Sequence, residues 1–223
     1  MFAGHIGAAL AIASVERRVN VGAFVAAALL LDLVLWLLVL FGWESVTIPP
    51  DFANTHQPQF VFPYSHGLLA GVLWSVLAGT AGYFSAHLDQ SARRRIALLV
   101  AMAVFSHWLL DVLVHQPELS LAGVTSPTLG LSLWQIMPIA LLVEAAVVVI
   151  GLLLFVRASD FSRGRSFALT VLSLVILAFT VVGMTIAPAP PSAIAMAGSS
   201  LGTIVAVCAL FFWLGRRSRR GQA

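Results

Sequence analysis

The chain has 223 residues, 60% of them hydrophobic and only 9% charged, with a mean hydropathy of +1.00 and a formal net charge of +3. Charges this sparse cannot cover a soluble globule, so the composition excludes a water-soluble fold and predicts one membrane domain over 1–223. The positive balance does not indicate a nucleic-acid partner, because the arginines form short clusters at the ends of apolar runs, the pattern of topology signals.

In chain order, apolar runs cover roughly 1–15, 21–41, 64–86, 96–115, 133–156, 167–187 and 193–214. A bilayer core of about 30 Å needs about 20 apolar residues per helical span, so the expected fold is an all-α, polytopic helical bundle with six to seven transmembrane helices. The first run is only about 15 residues and rich in Ala and Gly, hence a short span or a re-entrant element. A signal peptide would carry its positive charge before the apolar stretch; here the charge follows, so cleavage is not expected.

Connections bearing arginine (Arg17 and Arg18; Arg93 to Arg95; Arg157, Arg163 and Arg165; the tail Arg216, Arg217, Arg219 and Arg220) alternate with connections that have none, 42–63, 116–132 and 188–192. The positive-inside rule then puts the N-terminus outside and the C-terminus in the cytoplasm of a bacterial-type inner membrane. The 42–63 connection holds Pro49, Pro50, Pro58 and Pro63 with several aromatics and His56, and is expected to form an ordered outer cap. Cys208, the only cysteine, has no partner for a disulfide or a thiolate metal site and reads as packing.

Ionisable groups inside the spans need a partner, a wet cavity or a function. Counted at about 1.5 Å per helical residue, His5 lies about 18 Å above Arg17, His107 about 18 Å above Arg95, and Asp32 equally far above Asn20. Glu144, counted back from Arg157, comes to about 20 Å. Asp111 and His115 follow His107 at i+4 and i+8 on one helical stripe. His66 opens the third run from outside and should face the upper part of that stripe. These positions outline a polar cavity open outward.

Isolated carboxylates in hydrocarbon must be neutralised by protons, histidines or a cation, and a divalent metal does so most completely. Imidazole and carboxylate suit zinc or another first-row ion, and one helix can supply both His107 and Asp111. Without thiolates the site is not a closed structural zinc site; an open position would hold a water whose pKa falls to about 7.

The motifs Gly4-His5, Asp32, Ser65-His66 and Ser106-His107 with Asp111 resemble, in order, those of the membrane-bound metal-dependent hydrolases, often called YdjM-like. The resemblance covers 1–115, which would carry the metal site; 116–223 adds membrane helices without a recognisable motif. More remotely, the arrangement is similar to zinc-dependent phospholipases C and single-strand-specific zinc nucleases, in which a His-x-x-x-Asp helix supplies metal ligands. That likeness implies one ion on Asp32, His66, His107 and Asp111, and a second shared by His5 and Asp111. The chain departs from the family in having Leu31-Asp32-Leu33-Val34 in place of Pro-Asp-x-Asp and Val61-Phe62-Pro63-Tyr64 in place of His-Arg-Gly.

Each of these residues also has a plainer reading. His107 with Asp111 is equally a buried hydrogen-bonded pair that locks packing, and His66 and His5 are equally interfacial residues. His115 reads as a solvated helix end, with substrate contact second; Glu144 is either a proton-bearing packing residue or a general base. His56 and His87 read as exposed, and Asp51, Asp89, Glu118 and Asp160 as loop charges. Taken with the resemblance, the residues point to a hydrolase holding one or two divalent ions, with His5, Asp32, His66, His107 and Asp111 as ligands and Asp111, Glu144 and His115 as catalytic candidates. The expected partners are membrane lipids, and the remote likeness implies phosphoester substrates, phospholipids among them. The rival is a transporter that passes protons or metal ions along the same cluster; a purely structural subunit would leave the buried carboxylates unexplained.

Overall fold

The computed structural model describes residues 1–216; Arg217, Arg219 and Arg220 lie outside the described residues. The chain is all-helical apart from two small ribbons. Among the described residues five helices are long and apolar enough to cross a membrane: α5 (Leu68–Ser85), α6 (Gln90–Val114), α7 (Met137–Ala158, preceded by a 3₁₀ turn), α8 (Arg163–Thr185) and α9 (Ala193–Leu214). The 21–41 run forms two helices, α2 (Val21–Ala28) and α3 (Leu30–Leu40), bent by 50° at Leu29. No Gly or Pro marks that break. Its effect is to leave the Ala28 carbonyl, the last of α2, open to a side-chain donor.

Helix α1 (Phe2–Ala13) has 12 residues, a rise of about 18 Å, which is shorter than a bilayer core. It is buried on most of its surface and packs against α7, where Gly7 and Gly151 bring the two backbones together. A Cβ on Gly7 would stand 2.7 Å from the Val147 carbonyl oxygen. A Gly7→Val variant is therefore expected to melt lower, by at least the 1–3 kcal/mol typical of overpacking, whereas Gly164→Ala, where a Cβ meets nothing, should be neutral. Thermal unfolding in detergent checks both.

The arginine-bearing connections gather at one end of the bundle. Arg17 pairs with Asp160 (2.9 Å), Arg95 reaches Glu16 (3.6 Å) and the Val15 carbonyl, and Arg165 donates to the Arg216 carbonyl (2.6 Å). Hydrogen bonds from Arg18 hold the Glu16 carboxyl below the usual carboxylate range.

The arginine-free connections fold over the other end. There β1 (Ser45–Thr47) pairs antiparallel with β2 (Gln59–Val61), Val46 opposite Phe60, around the one-turn helix α4 (Phe52–Thr55). A second ribbon joins β3 (Leu119–Ser120) to β4 (Thr128–Leu129). The two connections are tied together: Gln57 Nε2 donates to the Trp134 carbonyl (2.9 Å) and the Phe60 amide to Glu118 Oε2 (3.2 Å).

Candidate metal centre

Each side chain of the cluster is positioned by a local feature. His5 sits one turn into α1; Asp32 lies in the first turn of α3, just past the break; His66 precedes α5; His107 and Asp111 share one face of α6 near its capped end. His107 Nε2 is 3.1 Å from Asp111 Oδ2, 3.1 Å from His66 Nε2 and 3.7 Å from Asp32 Oδ1. His66 Nε2 is 3.5 Å from Asp111 Oδ2 and 3.7 Å from Asp32 Oδ1. Metal–ligand bonds of about 2.0–2.1 Å at tetrahedral angles place ligand atoms about 3.3 Å apart. The three separations within His66, His107 and Asp111 (3.1, 3.1 and 3.5 Å) scatter around that value, Asp32 stands somewhat farther off, and all four side chains are largely withdrawn from solvent.

The outer nitrogens of both rings are already committed. Ala28, the last residue of α2 before the break, has a carbonyl that can only accept, so His107 Nδ1 donates to it (2.6 Å). The Ser65 hydroxyl donates to Glu44 Oε2 (2.7 Å), which leaves its oxygen to accept from His66 Nδ1 (2.8 Å). Each neutral ring therefore turns an Nε2 lone pair toward the other, beside two carboxylates. Such an arrangement repels itself unless a cation or a shared proton lies between, and this outer-shell bonding is what orients histidines that hold metals.

Asp111 is the hub of the cluster. Its Oδ2 faces His66 and His107, while its Oδ1 faces His5 Nε2 (3.2 Å) and the Met1 amino group (3.3 Å). The His5 ring stacks on His107, centroids 3.6 Å apart, and its Nδ1 is buried without a hydrogen-bond partner. Two overlapping triads, His66 with His107 and Asp111, and His5 with Asp32 and His107, could each hold an ion. No known family profile, curated protein or solved structure matches this chain. The chemistry of the site is accordingly argued from its geometry.

Glu144 lines the same cavity and accepts from the Gly4 amide (3.0 Å), so it caps the open N-terminal turn of α1 as well as facing the cluster. Three residues differ from their sequence reading because the cap closes over them. His115, read as a solvated helix end, is buried against Phe60, Phe62 and Trp134. Its Nδ1 donates to Glu118 Oε1 (2.6 Å), and its Nε2 lies 4.0 Å from Asp111 Oδ1. Glu118, read as a loop charge, is thus a fixed partner of His115. His56, read as exposed, is buried beside Phe52 in a left-handed conformation. Ser106 hydrogen-bonds its own helix at Ala103 (2.8 Å) and takes no part in the cluster.

The sequence reading missed Glu44. This buried carboxylate accepts from the Tyr64 amide (2.8 Å), the Ser65 amide (2.9 Å) and the Ser65 hydroxyl, pinning the turn that presents His66. An acid directly after an apolar run reads as an interfacial charge, and nothing in the spacing couples it to a turn 20 residues on.

Above the cluster lies a cavity of about 320 Å³. Asp32, His66, Asp111, His115 and Glu144 form its polar end, and mostly apolar side chains of the cap and of α8 and α9, with the hydroxyls of Thr180, Ser199, Ser200 and Thr203 among them, form the rest.

Proposed function

We propose that the chain is a membrane-embedded, metal-dependent hydrolase of the YdjM-like kind, acting on phosphoesters. The observation that supports this best is the triad His66 Nε2, His107 Nε2 and Asp111 Oδ2, 3.1–3.5 Å apart as ligands of one first-row ion should be, with Asp32 Oδ1 3.7 Å from both imidazoles and the outer nitrogens of both rings committed. Zinc suits two imidazoles with two carboxylates, and His5 with Asp111 Oδ1 offers a position for a second ion.

In this reading α1 is a short element that does not cross the bilayer alone, α2 with α3 is one bent span, and α5 to α9 complete six spans. The arginine end faces the cytoplasm of an inner membrane and the capped end faces outward.

A divalent ion at the cluster would acidify a water and polarise the phosphoryl oxygen. The protein's own groups do the remainder. His115, its tautomer fixed by Glu118, turns Nε2 to the cavity, and Glu144 stands on the same wall; either can take the proton released by the attacking water. The water oxygen bonds to phosphorus and the phosphorus bond to the alcohol oxygen breaks. One water proton ends on the alcohol and the other leaves through the base. The cap of Phe60, Phe62 and Trp134 limits bulk water at this end.

A transporter needs the cluster connected to both faces. Among the described residues no further buried ionisable side chain lies between the cluster and Glu16 at the arginine end, so a path for protons or metal has no intermediate station. Phosphodiesterase assays of purified protein against zinc or proton flux in liposomes divide the two readings. Turnover abolished by Asp111→Asn supports the hydrolase; flux without turnover would overturn it.

A further inference from the structure

We propose that the substrate is an amphiphilic lipid whose phosphoester reaches the cluster while its chain lies in the cleft between α8 and α9. This rests on the hydrolase reading and adds to it the substrate class and the route of access.

The cavity is open sideways. From α8 it is lined by Phe179, Thr180, Gly183 and Met184, and from α9 by Met196, Ser199, Ser200, Thr203 and Ile204. Those spacings, i, i+1, i+4, i+5 and i, i+3, i+4, i+7, i+8, are each one face of a helix, so the two helices turn these faces toward a common space. Phe179 to Met184 lie in the last two turns of α8 and Met196 to Ile204 in the N-terminal part of α9, so the cleft lies in the cap-side half of two helices of membrane-spanning length. Phe179 and Ser199 line the cavity and are also exposed, which marks the mouth of the cleft on the outer surface of the bundle.

Polarity decides the class of occupant. No lysine or arginine lines the cavity, so only an ion at the cluster and the Met1 amino group offer positive charge, and they serve any phosphoester alike. A small water-soluble phosphoester would find mostly hydrocarbon around its remainder. A lipid reverses the balance: the ester alone meets the polar end, and every methylene placed in the cleft adds affinity. Met184 and Met196 form a wall that adapts to a flexible chain. A transmembrane helix of a partner does not fit. At a diameter of about 10 Å a cavity of this volume would house only about 4 Å of its length, less than one turn.

Gly183 provides the test, because a Cβ there meets nothing within 4 Å. A larger side chain can be housed without moving the backbone and would project into the cleft. The full-length protein in nanodiscs would be photolabelled with phosphatidic acid carrying a diazirine near the end of one acyl chain, and the labelled residues mapped by mass spectrometry. Label is expected on Thr180, Met184, Met196 and Thr203, falling at least fivefold in Gly183→Phe and in Ser200→Phe, with thermal unfolding of each variant confirming that it is folded. Label confined to the outward faces of the helices, label unchanged in both folded variants, or crosslinks to another polypeptide would overturn the proposal. Metal content of the same samples separates the two layers. Metal bound without cavity label leaves the hydrolase reading standing with a non-lipid substrate, whereas cavity label on protein that cannot take up metal sinks the hydrolase reading and keeps the lipid site.

Discussion

Replacing His107 with alanine is expected to strip the metal from the protein and reduce phosphoester turnover to background. The ring makes three contributions at once: its Nε2 lies within 3.1 Å of both His66 Nε2 and Asp111 Oδ2, its Nδ1 occupies the carbonyl freed at the α2–α3 break, and its face stacks on His5. Losing a partner of a ligand alone costs 10–100-fold in metal affinity, so losing the ligand itself should exceed about 100-fold. Asp111→Ala should match it, because Asp111 Oδ2 faces both His66 and His107 while its Oδ1 holds His5. Thermal unfolding with and without added zinc gives the readout. An ion at about a hundred times its dissociation constant stabilises a fold by about 2.7 kcal/mol. Wild type should show such a shift, and neither variant should.

Glu44→Ala is expected to weaken metal binding by 10–100-fold although the carboxylate touches no candidate ligand atom. With Glu44 in place the Ser65 hydroxyl donates to it and can only accept from His66 Nδ1, which keeps the proton off Nε2. Remove Glu44 and the hydroxyl is free to donate to Nδ1. The ring proton then moves to Nε2, the atom that must bind metal. The substitution also orphans the Tyr64 and Ser65 amides, so the turn itself should loosen. Ser65→Ala tests the tautomer argument with the amides intact, and its loss should be of the same order. Competition with a chromophoric zinc chelator measures both; an affinity unchanged from wild type in Glu44→Ala would show that this chain of hydrogen bonds does not control His66.

The bundle and the depth of its polar groups were legible in the sequence because both depend on one-dimensional quantities: run length, the alternation of arginine-bearing connections, and distance along a helix. His107 and Asp111 share a face by their spacing, and Asp32 and His5 come to the same plane by residue counting. What sets Asp32 within 3.7 Å of His66 and His107 is its place just past the 50° bend at Leu29, which no glycine or proline announces. The cap was harder. Its prolines and aromatics indicate order, yet the burial of His56 and His115 and the pairing of Glu118 follow from β1–β2 and β3–β4 folding across the helix ends, a tertiary event without periodicity. Glu44 and the walls of the cavity were illegible for the same reason. The apolar runs of α8 and α9 contain no motif, and only packing shows which of their faces meet.

The central claim is that a bound cation compensates the gathering of two acids and two imidazoles inside the bundle. Elemental analysis of wild-type protein purified without chelators, with X-ray absorption at the edge of the metal found, tests it most directly. At least one first-row divalent ion per chain, surrounded by nitrogen and oxygen at about 2.0–2.1 Å, is the predicted result. Folded protein that is metal-free as isolated and takes up none on titration with zinc would contradict it.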